Sequence, residues 1–323
     1  MDRQGAVGQL RAAVQAFAST YLVPADAWCV ALSGGPDSLA LTAVAAGLRP
    51  TTALIVDHGL QPDSAAVGET ARTQAIALGC VDAQVLSVQV GSAGGPEAAA
   101  RGARYAALEA HRKGPVLLAH TLDDQAETVL LGLGRGSGAR SIAGMRPHDP
   151  PWCRPLLGVR RAVTHAACRE LGLAAWQDPH NTDPRFTRAR LRHEVLPLLE
   201  EVLGGGVAEA LARTATALRE DTELIDTLAA HALPDVLAES VAESGLQAKS
   251  LAALPDPIRR RVIRGWLLAG GATGLTDKQI RGVDTLGTGW RGQGGVAVGS
   301  ALRDQRLIAG RRDGVLTLWR EPM

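Results

Sequence analysis

Aromatic residues make up only 3% of this 323-residue chain, which has two Tyr, two Phe and six Trp. A buried core must therefore be built from Ala, Leu and Val, within a hydrophobic fraction of 46% that is ordinary for a globular protein. An excess of either charge is also missing: 34 Lys and Arg face 33 Asp and Glu, a formal net charge of +1. With 21% charged residues, that composition argues against a disordered chain. No apolar run approaches the roughly 18 residues of a membrane span. Arg11 interrupts the N-terminal stretch where a signal peptide would be apolar, and the stretch reads as an amphipathic helix. The four cysteines, at 29, 80, 153 and 168, show no Cys-x-x-Cys spacing and too little density for a disulfide framework, so a reducing cytoplasm is expected. No Gly-Lys pair occurs anywhere, which excludes a Walker A phosphate loop.

What is there is unevenly placed. Residues 135–192 hold eleven Arg and no Lys against four acids, Asp149, Glu170, Asp178 and Asp183, whereas the 134 residues before them are net acidic. Arginine forks grip phosphates, so a polyanionic partner is one reading of the basic block. The other is compositional: with only Lys113, Lys249 and Lys278 in the chain, Arg stands wherever solubility needs a cation.

The length suggests two domains. Through the first 130 residues short apolar runs (Trp28–Leu32, Ala53–Asp57, Gln84–Val88, Val116–Ala119) alternate with helix-like stretches at 38–47, 64–78, 96–112 and 123–133. Such alternation predicts an α/β domain with a parallel sheet flanked by helices, whose ligands sit beyond the carboxyl ends of the strands. Residues 134–158 read as a loop, and helices are expected again at 159–171 and 184–202. Gly204-Gly205-Gly206 marks a hinge, giving domains of 1–203 and 207–323. The second is expected to be a smaller α+β domain, with helices near 208–231 and 257–269, a Gly-rich stretch, and short alternating strands at the end.

The first strand runs straight into Ser33-Gly34-Gly35-Pro36-Asp37-Ser38 and then a helix. Two glycines let backbone N–H groups approach an anion, Ser33 and Ser38 add hydroxyls, and the helix contributes its positive end. Asp37 suits the magnesium that accompanies a nucleotide. As a plain turn, the same residues would only cap the helix. Gly134-Arg-Gly136-Ser-Gly138-Ala139 has the outline of a dinucleotide fingerprint, but no strand immediately precedes it.

A second run, His120-Thr121-Leu122-Asp123-Asp124-Gln125-Ala126-Glu127-Thr128, follows the fourth strand and opens a helix. Asp124 and Glu127 are three apart and share a helical face, where two carboxylates can bind a cation, either a metal or an ammonium. Thr121-x-x-Asp124 is also a capping box, and acids in a first turn offset the helix dipole. His120 is a candidate base or a structural, hydrogen-bonded histidine.

The Ser-Gly-Gly-x-Asp-Ser loop resembles that of the PP-loop ATP pyrophosphatases, which cleave ATP between the α and β phosphates and adenylate a carbonyl oxygen. Other segments, in consistent order over about residues 27–200, resemble the tRNA-isoleucine lysidine synthetase family. They are Val56-Asp57-His58-Gly59-Leu60 with Pro62 and Ser64, Arg101-Gly-Ala-Arg104-Tyr105, and the run from His120 to Thr128. Further on come Arg135-Gly136-Ser137-Gly138 through Gly144-Met145, and Asp178-Pro-His-Asn181-Thr-Asp183 with Arg188, Arg190, Arg192 and Leu196-Pro197. The tail from about 215 is similar to the family's first C-terminal domain, and a second such domain is expected to be absent. The resemblance implies a cytoplasmic ligase that joins lysine to the wobble cytidine of a tRNA-Ile with a CAU anticodon. ATP and Mg2+ would be used, an adenylated cytidine formed, and pyrophosphate and AMP released.

By position, Ser33, Gly34, Gly35, Pro36, Asp37, Ser38, Asp57 and His58 would bind ATP, with Asp37 on the magnesium. Arg101 would neutralise charge in the transition state, Asp124 and Glu127 would hold lysine, and Arg188, Arg190 and Arg192 would meet tRNA. Asp37, Arg101 and His120 are the implied catalytic residues. Where the family usually has Ser-Asn and Arg-Asn-Arg, this chain has His180-Asn181 and Arg188-Ala189-Arg190, which bears on the tRNA contact. Homodimer formation is left open. Competing readings are a PP-loop tRNA thiolation enzyme, which would need cysteine pairs or an iron–sulfur cluster, and a non-catalytic nucleotide- or RNA-binding protein. An amidotransferase-type synthetase would need a glutaminase domain or another ammonia source.

Overall fold

Alternation of side chains along the first strand sets up the two faces of the main sheet. In the computed structural model, Trp28, Val30 and Leu32 pack into one buried cluster, with Leu10, Val14, Leu39 and Leu41. Cys29 and Ala31 enter another, with Leu54, Leu86 and Leu108. A strand buried on both faces in this way is the mark of a sheet covered by helices on both sides. The structure describes residues 5–24, 27–59, 61, 63–91, 95–136, 138–238, 245–300, 302 and 304–322. Of the residues singled out above, Leu60, Pro62 and Ser137 lie outside that set.

Up to residue 143 the order is α1 (Ala6–Tyr21), β1 (Trp28–Ala31), α2 (Pro36–Ala46), β2 (Thr51–Asp57), α3 (Ser64–Ala77), β3 (Asp82–Ser87), α4 (Pro96–His111), β4 (Val116–Leu117), α5 (Leu122–Gly134) and α6 (Ala139–Ile142). Then follow β5 (His148–Asp149), β6 (Trp152–Cys153), α7 (Arg161–Glu170), α8 (Thr187–Arg190), α9 (Leu196–Val202) and α10 (Val207–Val236). The chain forms two compact units, Met1–Leu131 with Gly144–Arg213, and Gly132–Ala143 with Thr214–Met323. The chain crosses between the units within α5, after α6 and within α10.

The first unit carries a six-stranded sheet in the order β3-β2-β1-β4-β6-β5. It is parallel except at the edge, where β5 runs antiparallel to β6. These last two strands, with α6, occupy the stretch expected to be a loop. Two-residue strands show no periodicity, and β6 begins only after Pro150-Pro151, which cannot donate to a ladder. The helix expected over 184–202 is present as α8, a π-helical turn at Leu191–Val195, and α9. Pro197, which lacks an N–H, lies two residues beyond that turn. Gly204, Gly205 and Gly206 have φ of 81°, 92° and 73°, three successive left-handed residues that only glycine adopts readily, and they turn the chain from α9 into α10.

The second unit has α11 (Ala248–Ala252), α12 (Asp256–Ala269) and α13 (Asp277–Thr288), with β7 (Leu246–Gln247), β8 (Val296–Val298), β9 (Gln305–Arg312) and β10 (Val315–Pro322). Its sheet, in the order β7-β10-β9-β8, is antiparallel throughout. Helix α13 was not foreseen because Gly287 and the glycines after it masked its end. Its start is marked by a reciprocal capping box between Thr276 and Gln279. Ile263, Trp266, Leu267, Val283, Leu286 and Leu316 form the core.

At the edge of that core Arg259 and Asp284, each 7% exposed, pair at 2.5 Å, and Arg259 also donates to the Leu254 carbonyl. Removing Asp284 leaves the buried Arg259 with only the exposed Asp256, 2.7 Å away, as its carboxylate partner among the described residues. Asp284→Ala should therefore lower the unfolding free energy of this unit by about 3 kcal/mol, read as an earlier urea midpoint. An unchanged midpoint would show that the pair contributes nothing.

Candidate active site

The carboxyl ends of β1, β2 and β4 carry, in turn, the loop from Ser33, the residue Asp57, and the run from His120. In the loop, Gly34 has φ of 81° and its carbonyl accepts from the Trp176 N–H at 2.9 Å, which ties the loop to the segment after α7. A side chain at Gly34 would be strained by that φ. Ser33 N–H donates to Ser38 Oγ at 3.1 Å, the two hydroxyls stand 3.1 Å apart, and Ser38 Oγ donates to the Gly35 carbonyl at 3.0 Å. Pro36 then opens α2 without an N–H to satisfy, and Asp37 lies in its first turn. Asp57 Oδ1 accepts from the Gly59 N–H at 2.9 Å, fixing the turn that follows β2, where His58 lies.

Helix α7 is what brings charge to this loop. Asp123 accepts from the Arg161 N–H at 2.7 Å and so anchors the first turn of α7. One turn further on, the Thr164 hydroxyl meets Asp37 Oδ1, and His165 Nε2 lies 3.9 Å from the same oxygen. Burial raises the Asp37 pKa above the usual carboxylate value, even though Thr164 and Arg161 both favour its charged form.

Arg161 itself spans the site. Its Nε is 3.6 Å from Asp37 Oδ2, its NH2 donates to Asp124 Oδ1 at 2.6 Å, and the same nitrogen reaches Glu127 Oε1 at 3.2 Å. Glu127 is fully buried, so its charge must be balanced from within. Arg192 supplies a second guanidinium, 2.8 Å from Glu127 Oε1 and 3.4 Å from Asp124 Oδ1. Arg188 stands 3.7 Å from Glu127 Oε2. Asp124 meanwhile accepts from both the N–H and the hydroxyl of Thr121. Cap and ion pair are therefore one arrangement, not alternatives. Burial acts most strongly on Asp124 and pushes its pKa up, but Arg161 and the Thr121 hydrogen bonds bring it below the ordinary value.

Residues 8–199 match the PP-loop domain model, and residues 246–314 match the TilS substrate binding domain model. Over all 323 residues of both chains, this chain is 79% identical to the tRNA(Ile)-lysidine synthase of Mycobacterium tuberculosis. The chain belongs to the tRNA(Ile)-lysidine synthase family. The family member of Rhodococcus erythropolis is 59% identical over 311 residues, 96% of this chain and 94% of its own. Among solved structures, a U34-tRNA thiolase from Methanococcus maripaludis that carries a [4Fe-4S] cluster has a TM-score of 0.55. At 16% identity over 67% of this chain and 80% of its own, it shares the fold.

Set against the residues assigned by resemblance to the lysidine synthase family, the structure gathers Asp37, Asp124, Glu127, Arg188 and Arg192 into one charge network. Arg190 is exposed, points away from the acidic pair and bonds Glu194 at 2.9 Å. Arg101 is exposed on α4, its guanidinium 4.9 Å over the Tyr105 ring. His120 Nδ1 is buried with no hydrogen-bond partner among the described residues. Burial pulls its pKa down to about 3; Asp124 opposes this, while Arg154, Arg104 and Arg101 add to it.

Four residues of the site escaped the sequence reading: Arg161, Thr164, His165 and Arg154. No local motif marks them: Arg161, Thr164 and His165 meet Asp37 from more than 120 residues away, and Arg154 acts on His120 only through its charge. A buried acidic pair beside an arginine-only block was the available signal, because such carboxylates require counter-charges. The cysteines are all buried and unpaired, and Cys168 Sγ lies 3.2 Å from the Pro36 carbonyl, a packing role behind the loop.

His120 binds a proton in the unfolded chain near pH 6.5 but in the native state only near pH 3. As pH falls through that window the unfolded state takes up the proton first, so stability drops. Between pH 7 and pH 5 the parent protein should lose about 2 kcal/mol more than His120→Gln, measured by urea unfolding at both pH values. Equal losses would mean that His120 titrates normally.

Proposed function

We propose that this chain joins lysine to C2 of the wobble cytidine of a tRNA-Ile with a CAU anticodon, through an adenylated cytidine. The observation that carries the reading is the Arg161 guanidinium, which lies between Asp37 of the phosphate loop and the Asp124/Glu127 pair. That arrangement suits adjoining nucleotide and amine halves of a ligase site, in a chain 79% identical to a lysidine synthase from end to end.

In the first step the cytidine O2 attacks the α phosphorus of ATP, and the bond to the β-phosphate oxygen breaks. The residues from Ser33 to Ser38 take the departing pyrophosphate through backbone N–H groups, hydroxyls and the N-terminal end of α2. Asp57 and His58, at the end of the neighbouring strand, flank the nucleotide, and Arg101 meets the charge that grows on the phosphates. Asp37, as a carboxylate beside those phosphates, would hold Mg2+, which would supply positive charge against the departing pyrophosphate. In the second step lysine's amine, having given its proton to solvent, attacks C2, and the bond from C2 to the adenylate oxygen breaks; AMP leaves with the bonding pair as its phosphate. Asp124 and Glu127 hold lysine by its positive charge. His120, neutral through the physiological range, orients the amine rather than deprotonating it, because an imidazole held near pKa 3 is a poor base.

The C-terminal unit suits the RNA. Arg311 lies 5.8 Å from the ring of exposed Trp290, and Arg312 lies 4.5 Å from that of Trp319; such pairs stack bases and meet phosphates. A thiolation enzyme would need accessible cysteines, and all four here are buried.

Labelled lysine should be incorporated, only with Mg-ATP, into tRNA-Ile bearing a CAU anticodon and not into a methionine tRNA of the same anticodon. Pyrophosphate release without label would retain the adenylation and reject lysine as the nucleophile. Asp37→Ala should abolish tRNA-dependent pyrophosphate release. If that variant still releases pyrophosphate at the parent rate, Asp37 has no part in nucleotide chemistry.

A further inference from the structure

Every oxygen of the acidic pair is already engaged. Glu127 Oε1 accepts from Arg192 Nε at 2.8 Å and from Arg161 at 3.2 and 3.3 Å. Glu127 Oε2 accepts from Arg192 NH2 at 3.2 Å, with Arg188 at 3.7 Å. Asp124 Oδ1 holds Arg161 at 2.6 Å and Arg192 at 3.4 Å, and its Oδ2 is taken by Thr121. An arriving ammonium finds no carboxylate oxygen unoccupied. Nor can the pocket simply add one: three guanidiniums already balance Asp124, Glu127 and Asp37, and a further positive charge in a buried site would be unmatched.

The three arginines are not equivalent. Arg161 is tied on both sides, by Asp37 as well as by the acidic pair, and its backbone is anchored to Asp123. Arg188 and Arg192 are four residues apart in one helical run, so they share a face, and their side chains are 40% and 24% exposed against 14% for Arg161. Arg190 projects from the other side of that run and pairs only with Glu194 among the described residues. The run α8–α9 thus presents arginines both to the buried acid and to solvent. A guanidinium held by a carboxylate can exchange it for a phosphate, because both anions fit the same fork of donors.

We propose that Arg192, with Arg188 beside it, occupies the lysine seat in the free protein and gives up Glu127 for an RNA phosphate when tRNA binds. Lysine then takes the vacated carboxylate. Charge balances in both states: in one the acid holds arginine, and in the other the acid holds lysine while arginine holds phosphate. The two substrates consequently reinforce each other, each raising the other's affinity by the same factor. This inference rests on the reading of Asp124 and Glu127 as lysine's partners.

Calorimetric titration of lysine into the full chain, with and without tRNA, tests it. For the parent protein, tRNA should tighten lysine binding by roughly tenfold, within the usual range of such couplings; no change would overturn the exchange. Arg192→Gln should bind lysine at least about fivefold more tightly than the parent when tRNA is absent, and tRNA should then add little. A merely structural arginine would give the opposite sign, weaker lysine binding in both conditions, and that result overturns the proposal. Arg188→Gln should move in the same direction by less, which keeps the test open if the first variant does not fold. Glu127→Gln separates the two layers. Lost lysine binding there supports the seat, whereas unaltered binding removes the seat and the exchange together.

Discussion

A carboxylate with no access to water has to be neutralised by its neighbours, and Glu127 is such a carboxylate. Because it lies at 0% exposure on α5, guanidiniums must come to it from elsewhere in the chain. Arg161 comes from the first turn of α7, and Arg188 and Arg192 come from the run around the π-helical turn. Two segments distant in sequence from α5 are thereby fixed around one acid. Through Arg161 the constraint reaches Asp37, so that the phosphate loop and the acidic helix are held in register by a single planar cation. Apolar packing alone, in a chain with so few aromatic side chains, would give the site no such directional tie.

The sheet supplies the other half of the arrangement. Parallel strands deliver their carboxyl ends to one side, and the loop after β1, the turn after β2 and the run after β4 are consecutive openings on that side. Helix α7 follows the short strands β5 and β6, and its first turn points back at the loop after β1. Thr164 and the Arg161 guanidinium then hold the two oxygens of Asp37 from the same helix. These two strands, though only two residues each, set the starting point from which α7 returns.

Much of this was legible in the sequence, and the reasons are local. The four strands of the parallel core announce themselves as short apolar runs. The loop from Ser33 to Ser38 is written in six adjacent residues between a strand and a helix. Thr121 and Asp124 show their cap by spacing alone. What was not legible depends on partners far along the chain. Nothing near Arg161 says that it will face Asp37 and Glu127, more than 120 and 30 residues away. Arg188, Arg190 and Arg192 look alike as a basic cluster. Helical geometry divides them, sending the first and third to the buried acid and the second to solvent. Strands β5 and β6 were lost for another reason, since two residues cannot display a period. Helix α13 was hidden by the glycines that close it.

The near-absence of lysine from the chain takes on chemical meaning at this site. An enzyme that joins an amine to an activated ring carbon has reason to keep amine side chains of its own out of reach of that carbon. The cations around Glu127 and Asp124 are all arginines, and a guanidinium keeps its proton at neutral pH and offers no free lone pair. Arginine can lie against an electrophile without being joined to it. The acidic pair is thus neutralised by groups that are inert as nucleophiles.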